Sequence, residues 1–224
     1  MQYRNELKHL ITAGDRAAIC AMMKTIAQID PHAQPKGWYS IRSLYFDNIA
    51  DKVLREKIDG VNEREKFRIR YYNSDTSFIR LEKKVKRNSL GYKISCSLTS
   101  QEAQRIIDGD TTWMAVDRRG LVVELYAKMK SQGLKPKTIV DYERIPVVYA
   151  PGNVRVTVDY NIRTGLRCTD FLNPDCVTVP AAGNSIVLEV KWDDYLPTVI
   201  RHAVQLKGRS QTAFSKYGIC RIYD

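Results

Sequence analysis

The chain has 224 residues, 44% of them hydrophobic and 27% charged, which excludes a disordered tract and suits one large domain over residues 1–224 better than two. Its 36 Lys and Arg outnumber 25 Asp and Glu, and the net charge of +11 gives a field that attracts polyanions such as nucleic acid, polyphosphate, nucleotides or acidic lipid. Five scattered cysteines without a CxxC pair, no basic-then-apolar leader and no long apolar run argue against a disulfide frame, a cysteine zinc site and a membrane segment, so a cytoplasmic protein is expected.

Residues 2–11 alternate as a strand does, and from Thr12 the stretch TAGDRAAICAMMKTIAQI spaces Ala17, Ala18, Ala21, Met22 and Ile26 as a helix would. DPHAQPKG ends that helix with two prolines and a glycine. WYSIRSLYFDN and DKVLREKIDG read as two strands joined near Asn48 to Asp51, and REKFRIRYYN and SFIRLEKKVKR as two more joined at Ser74 to Thr76. NSLGYKISCSLT reads as a further strand, after which Thr99 and Glu102 have the spacing of a capping box.

A second helix is predicted from about Thr112 to Gln132, ended by Gly133 and Pro136. Strands return with KTIVDYERIPVVY, NVRVTVDYNIRTG and NSIVLEVKW, with a short one expected around Val177 to Val179. LPTVIRHAVQLKG reads as a late helix with Pro197 in its first turn, and SKYGICRIYD closes the chain. The fold class that follows is α+β with eight or more antiparallel strands, as an open sheet or a closed barrel.

The strands are amphipathic in one consistent way. Arg68 and Arg70 share a face, as do Arg4, Glu6 and Lys8, as do Arg80, Glu82, Lys84 and Lys86, as do Arg155, Thr157 and Asp159, and as do Glu189 and Lys191. The opposite faces carry Phe67 and Ile69, Ile79, Leu81 and Val85, Val154, Val156 and Val158, and Leu188, Val190 and Trp192. A flat sheet would show the charged face to water. A sheet closed into a barrel would cover its apolar outside with helices and turn the cations inward, where they need carboxylates or a polyanion. Solvated faces mix Thr, Ser and paired charges, whereas here Arg and Lys dominate on strand after strand, which favours the second arrangement.

RNELK at Arg4 to Lys8, SLYFDN at Ser43 to Asn48, KFRIR at Lys66 to Arg70, LEKK at Leu81 to Lys84, DYER at Asp141 to Arg144, VRVTVD at Val154 to Asp159, LEVKW at Leu188 to Trp192 and FSKY at Phe214 to Tyr217 resemble, in order, the catalytic domain of the vacuolar transporter chaperone (VTC) complex, a polyphosphate polymerase domain of the triphosphate tunnel metalloenzymes. The resemblance implies a closed, eight-stranded antiparallel barrel with flanking helices and a phosphate-binding interior. Carried over by motif, it implies phosphate-binding roles for Lys8, Arg68, Arg70, Lys84, Lys93, Tyr142, Arg144, Arg155, Ser215 and Lys216. It further implies a metal site at Glu189 with Glu6 beside it, and catalytic roles for Lys216, Arg144 and Glu189. Glu82 accompanies Lys84 in the ExK strand.

The implied cofactor is Mn2+ or Mg2+, and the implied partners are ATP with polyphosphate, pyrophosphate or triphosphate rather than nucleic acid. The wider superfamily begins with ExExK, where this chain has Arg4 at the first position, a variation that looks like the VTC branch. The fungal complex adds a phosphate-sensing SPX domain and membrane helices that this sequence lacks, so neither regulation nor translocation is expected of it. Arginine forks and lysine ammoniums grip phosphate oxygens, and phosphoryl transfer rests on positioning and charge neutralisation, which accords with the absence of a His or Cys constellation. His9, His32 and His202 read as structural or exposed, and Trp38, Tyr39, Tyr45 and Phe46 as core. Three function classes follow: a polyphosphate polymerase, a hydrolase of triphosphate or short polyphosphate, and a non-enzymatic polyanion binder.

Overall fold

The computed structural model describes residues 3–222 apart from 89, 182 and 207. Gln2 of the expected first strand, Ser89 of the sixth, Lys207 of the late helix and the last two residues of the tail lie outside the described residues. The elements run β1 (Asn5–Ile11), α1 (Ala13–Ile26), β2 (Gln28–Ile29), β3 (Tyr39–Asp47), α2 (Lys52–Ile58), β4 (Arg64–Tyr72), β5 (Asp75–Arg87), β6 (Leu90–Leu98), α3 (Ser100–Ile107) and α4 (Gly120–Gln132). Then come β7 (Lys135–Tyr149), β8 (Val154–Thr164), β9 (Val179–Pro180), β10 (Ile186–Trp192), α5 (Thr198–Val204) and α6 (Lys216–Cys220).

Eight strands form one antiparallel sheet in the order β1-β10-β8-β7-β3-β4-β5-β6, with the short β2 and β9 appended to β7 and β8. The sheet curls, but the continuous closure expected of a barrel is absent among the described residues. Its edge strands β1 and β6 meet in one bridge, where the Arg4 N–H donates to the Gly91 carbonyl at 3.2 Å. Beside that bridge the seam is spanned by side chains, the Lys84 ammonium lying 2.9 Å from Glu6 Oε2. The product is an open, curled half-barrel.

The apolar faces lie on the convex side, under the helices. Leu44, Phe46, Phe67, Ile69, Tyr71, Ile79 and Leu81 pack with α3 and α4 residues Ala103, Ile106, Val122 and Leu125. On the other half, Val154, Val156, Val158, Leu188 and Val190 pack with Ile19 and Met23 of α1 and Ile200 and Ala203 of α5. Each such Phe, Ile or Leu, removed from water, contributes about 1.5–3 kcal/mol. The stripe of α1 that is buried is Ile19 and Met23, while Met22 is exposed, so the helix sits about one position round from the expected face.

Two other expectations need correction. DKVLREKIDG holds the helix α2 rather than a strand. Asp47, at the end of β3, accepts the backbone N–H groups of Val53 and Leu54 at 2.9 and 3.2 Å, and Asn48 accepts that of Lys52 at 3.0 Å, so side chains from outside the helix satisfy its orphan donors. The predicted helix from Thr112 is split into a 3-10 turn at Thr112–Val116 and α4. Arg119 between them is extended and pairs with Asp117 and Glu102 at 2.7 and 2.6 Å, contacts that a continuous helix would break. The capping box at Thr99 forms as expected, with the Glu102 N–H donating to Thr99 Oγ1 at 3.1 Å and the Thr99 N–H to Glu102 Oε2 at 2.8 Å. The short strand expected near Val177 forms at Val179 and Pro180.

Candidate functional site: a cation-lined cavity

The concave side of the sheet encloses a cavity of about 810 Å³. Period-two alternation turns Lys66, Arg68 and Arg70 of β4 and Glu82 and Lys84 of β5 towards it, while Phe67, Ile69 and Leu81 go to the convex core. Arg68 is opposite Glu82 in register and binds its Oε2 through Nε and Nη2 at 2.8 and 2.6 Å, with Nη1 donating to the Tyr45 phenol at 2.7 Å. Arg70 donates to the Tyr142 phenol at 2.9 Å and to Ser43 Oγ at 3.3 Å, and lies 3.6 Å from Glu82. Lys93 of β6 reaches the other Glu82 oxygen at 2.7 Å. Burial favours the protonated Glu82, but Arg70, Arg68 and Lys93 outweigh it and hold the carboxyl far below its ordinary range.

A second cluster forms where β7, β8, β10 and α6 converge. Asp159, fully buried, takes a bidentate fork from Arg144 at 2.6 and 2.7 Å and also the ammonium of Lys216. Arg144 also lies 3.4 Å from Glu189. Burial raises the Asp159 carboxyl, yet Arg144 and Lys216 pull it below its ordinary value. Tyr142 lies beneath both cations, its ring centroid 4.6 Å from Lys216 Nζ and 5.4 Å from the Arg144 guanidinium. Burial alone would raise that phenol, but Arg70, Arg144 and Lys216 carry it below its usual value, so a buried neutral group registers a strongly positive potential.

The third cluster belongs to β1 and β10. Glu189 sits 2.7 Å from Lys191, and Glu6 lies 3.0 Å from Lys8, 2.9 Å from Lys84 and 3.6 Å from Lys191. Burial and the nearby Glu189 push Glu6 up, but Lys8, Lys84 and Lys191 bring it down to about 2. Glu189 is depressed further, burial being outweighed by Lys191, Lys8 and Arg144. Lys8 moves the other way: burial lowers it, and Glu189 and Glu6 more than restore it.

The expected site residues therefore converge. Lys8, Arg68, Arg70, Lys84, Lys93, Tyr142, Arg144, Arg155, Ser215, Lys216, Glu189 and Glu6 all line the one cavity. Two stand apart in local role. Ser215 caps α6, its Oγ accepting the Gly218 N–H at 3.2 Å, and thereby places Lys216 at the first helical position. Arg155 is 2.9 Å from Asp30 and 2.8 Å from the Tyr39 phenol, with its Nε buried and unpartnered among the described residues. Tyr39 and Tyr45 are buried as expected, but they also present their hydroxyls to Arg155 and Arg68.

Asp159, Lys66, Lys191 and Asp30 join the expected residues at this site. Asp159 was legible in VRVTVD, on the face of Arg155, but its hub position arises only when β7 and α6 meet β8. Lys66 stands in the same alternation as Arg68 and Arg70, half-buried and over the Tyr45 ring at 5.2 Å. Burial, Arg68 and Lys8 lower its ammonium to about 7.

For a divalent cation, the described residues offer no group of three or more His, Cys, Asp or Glu side chains. Glu189 is nevertheless close enough to Glu6 to raise its carboxyl against the pull of the lysines. One or two carboxylates, with phosphates and water completing the shell, is the usual donor set for Mg2+ beside a phosphate chain, and these two residues fit it. No helix among the described residues is long and apolar enough to cross a membrane.

Comparison with known proteins gives a family and a fold. The VTC domain family model matches residues 3–223. No curated protein matches the chain. Among solved structures, a protein of Pyrococcus horikoshii OT3 superposes with a TM-score of 0.52 at 13% identity, covering 96% of this chain and 98% of its own. A provisionally named adenylate cyclase of Bacillus halodurans gives a TM-score of 0.49 at 13% identity over 90% of this chain and 84% of its own.

Proposed function

Because the chain belongs to the VTC domain family, whose model spans residues 3–223, we propose that it is a metal-dependent polyphosphate polymerase that transfers the γ-phosphoryl group of ATP to the end of a polyphosphate chain. The observation that supports this most is the charge of the cavity wall, where fourteen Lys and Arg meet three Glu, and where Glu82, Asp159 and Asp30 pair with only some of those cations from behind it. Such a surplus is costly in a partly buried site and is relieved by a polyanion.

The residues divide by position. Arg68, Arg70, Lys84, Lys93 and Lys8 hold the phosphates along β4, β5, β6 and β1, and Arg155 holds them at the wall formed by β8. Arg144 and Lys216, oriented by Asp159, face the phosphoryl group in transit and neutralise the charge that spreads over its oxygens. A terminal oxygen of the chain forms the new P–O bond while the bond from the γ-phosphorus to ADP breaks, so the chain grows by one unit and ADP leaves. Glu189, with Glu6 beside it, would hold Mn2+ or Mg2+, which would supply positive charge against the phosphates. The open seam between β1 and β6 favours a second reading, in which water reaches the same phosphorus and the protein hydrolyses triphosphate or short polyphosphate.

Incubation of the pure protein with ATP and Mn2+ or Mg2+, followed by gel separation of long polymer from orthophosphate, tests these readings. Long polymer supports the polymerase and orthophosphate alone the hydrolase. Retained binding without either product leaves a polyanion-binding module. Glu189→Gln should abolish metal-dependent turnover while preserving the fold, and unchanged turnover would remove Glu189 from the metal site.

A further inference from the structure

The inward faces of β4 and β5 meet in three successive cross-strand pairs: Arg68 opposite Glu82, Lys66 opposite Lys84, and Arg64 opposite Lys86. The first is charge-matched, whereas the next two set like charges directly across an antiparallel ladder, where side chains start only about 5 Å apart and repel. Lys57 of α2, which lies against β4, lines the same end of the cavity. Lys84 has Glu6 as a partner, but among the described residues no carboxylate pairs with Lys57, Arg64, Lys66 or Lys86.

Three glutamates near them in sequence are engaged elsewhere. Glu63 faces Arg87, Glu65 faces Lys83 and Lys128, and Glu56 faces Lys52. All four cations are half-buried and line the cavity wall. Burial and the neighbouring Arg64 lower both Lys57 and Lys86 below the usual lysine value, and for Lys86 the pull of Glu6 does not make up the loss.

We propose that Lys57, Arg64 and Lys86 form an extended-chain subsite that holds polyphosphate beyond the triphosphate-sized centre and makes the protein prefer long chains to triphosphate. This rests on the phosphate-binding reading given above. From Arg70 to Arg64 the strand advances six residues, roughly 20 Å at about 3.3 Å each, which is longer than a triphosphate. A ligand that ends near Arg68 and Arg70 leaves Arg64, Lys86 and Lys57 unneutralised, whereas a longer linear polyanion reaches them through Lys66.

The test compares tripolyphosphate with a polyphosphate of several tens of units, titrated against wild type and the triple variant Lys57→Gln, Arg64→Gln, Lys86→Gln over a range of salt. Long-chain affinity should fall roughly tenfold or more, and its dependence on log salt should become shallower by about 2, as three lost phosphate contacts predict. Triphosphate affinity should change by less than about twofold, which also reports an intact fold. The charge-retaining triple Lys57→Arg, Arg64→Lys, Lys86→Arg should keep the long-chain preference. Should the glutamine triple fail to fold, Lys57→Gln alone should make the long-chain slope shallower by about a third as much, and no change in that slope overturns the proposal. Equal losses on both probes, no loss on either, or a single-stranded oligonucleotide that binds as tightly and loses as much also overturn it. Wild type that binds neither probe overturns the phosphate-binding reading itself.

Discussion

Asp159→Asn is the perturbation with the widest reach. The carboxylate is fully buried, receives a two-pronged fork from Arg144 at 2.6 and 2.7 Å, and also holds Lys216. Neutralising it leaves two cations in a region already rich in them, and breaking a buried pair from one side costs about 3–5 kcal/mol. For a chain of this size each kcal/mol moves the melting temperature by about 2–4 °C, so the variant should melt about 6–20 °C below wild type at pH 7. Because Asp159 titrates below the ordinary carboxylate value, its stabilisation is complete at neutral pH and is lost as pH falls through the folded-state pKa, so the two curves should converge in acid. Saturating tripolyphosphate should narrow the gap at pH 7, since bound oxygens supply Arg144 and Lys216 with the missing negative charge. Thermal melts from pH 2 to 8, with and without tripolyphosphate, decide the matter. A difference below about 2 °C at pH 7, or a gap indifferent to both acid and phosphate, would refute the hub assigned to Asp159.

Two further outcomes follow from the wall of β4. Arg68→Ala should weaken tripolyphosphate binding by about 10- to 150-fold, as the loss of about 1.5–3 kcal/mol in charge-assisted hydrogen bonds requires, and calorimetry showing unchanged affinity would return Arg68 to a purely structural pairing with Glu82. Lys66 and Lys84 are each held at about 7, the first by burial, Arg68 and Lys8 and the second by burial, Lys8 and Lys191, and a bound polyanion should lift both towards the ordinary lysine value. Tripolyphosphate binding at pH 8 should then take up roughly two protons, seen as a buffer-dependent enthalpy, and affinity should weaken from pH 7 to 9. Lys66→Met should remove about half of that uptake and leave the part due to Lys84, and an enthalpy independent of buffer in wild type would contradict the assignment.

Much of the site was legible before any coordinates. Alternation along KFRIR, LEKK and VRVTVD separates cations from apolar residues by parity alone, and the structure places Arg68, Glu82 and Arg155 on the concave side and Phe67, Leu81 and Val156 in the convex cores. The motifs of the VTC family locate Tyr142, Arg144, Glu189 and Lys216, all of which line the cavity. DKVLREKIDG misleads because its helix is initiated by Asp47 and Asn48, side chains that precede the segment and belong to the end of a strand.

The covalent order of residues determined which side chains share a face, because the side-chain period of an extended chain is a local property of its backbone. It also determined the capping box at Thr99, whose two bonds close within four residues. Only tertiary structure decided what faces what. Asp159 becomes the partner of Arg144 and Lys216 when α6 folds against β7 and β8, and Arg64 comes to stand opposite Lys86 through the register of β4 and β5. The same holds for the seam, where β1 and β6, far apart in the chain, approach closely enough for one backbone bridge and an ion pair between Glu6 and Lys84. Pairing energies of that kind depend on distances between residues separated by tens of positions, and no pattern within one strand contains them.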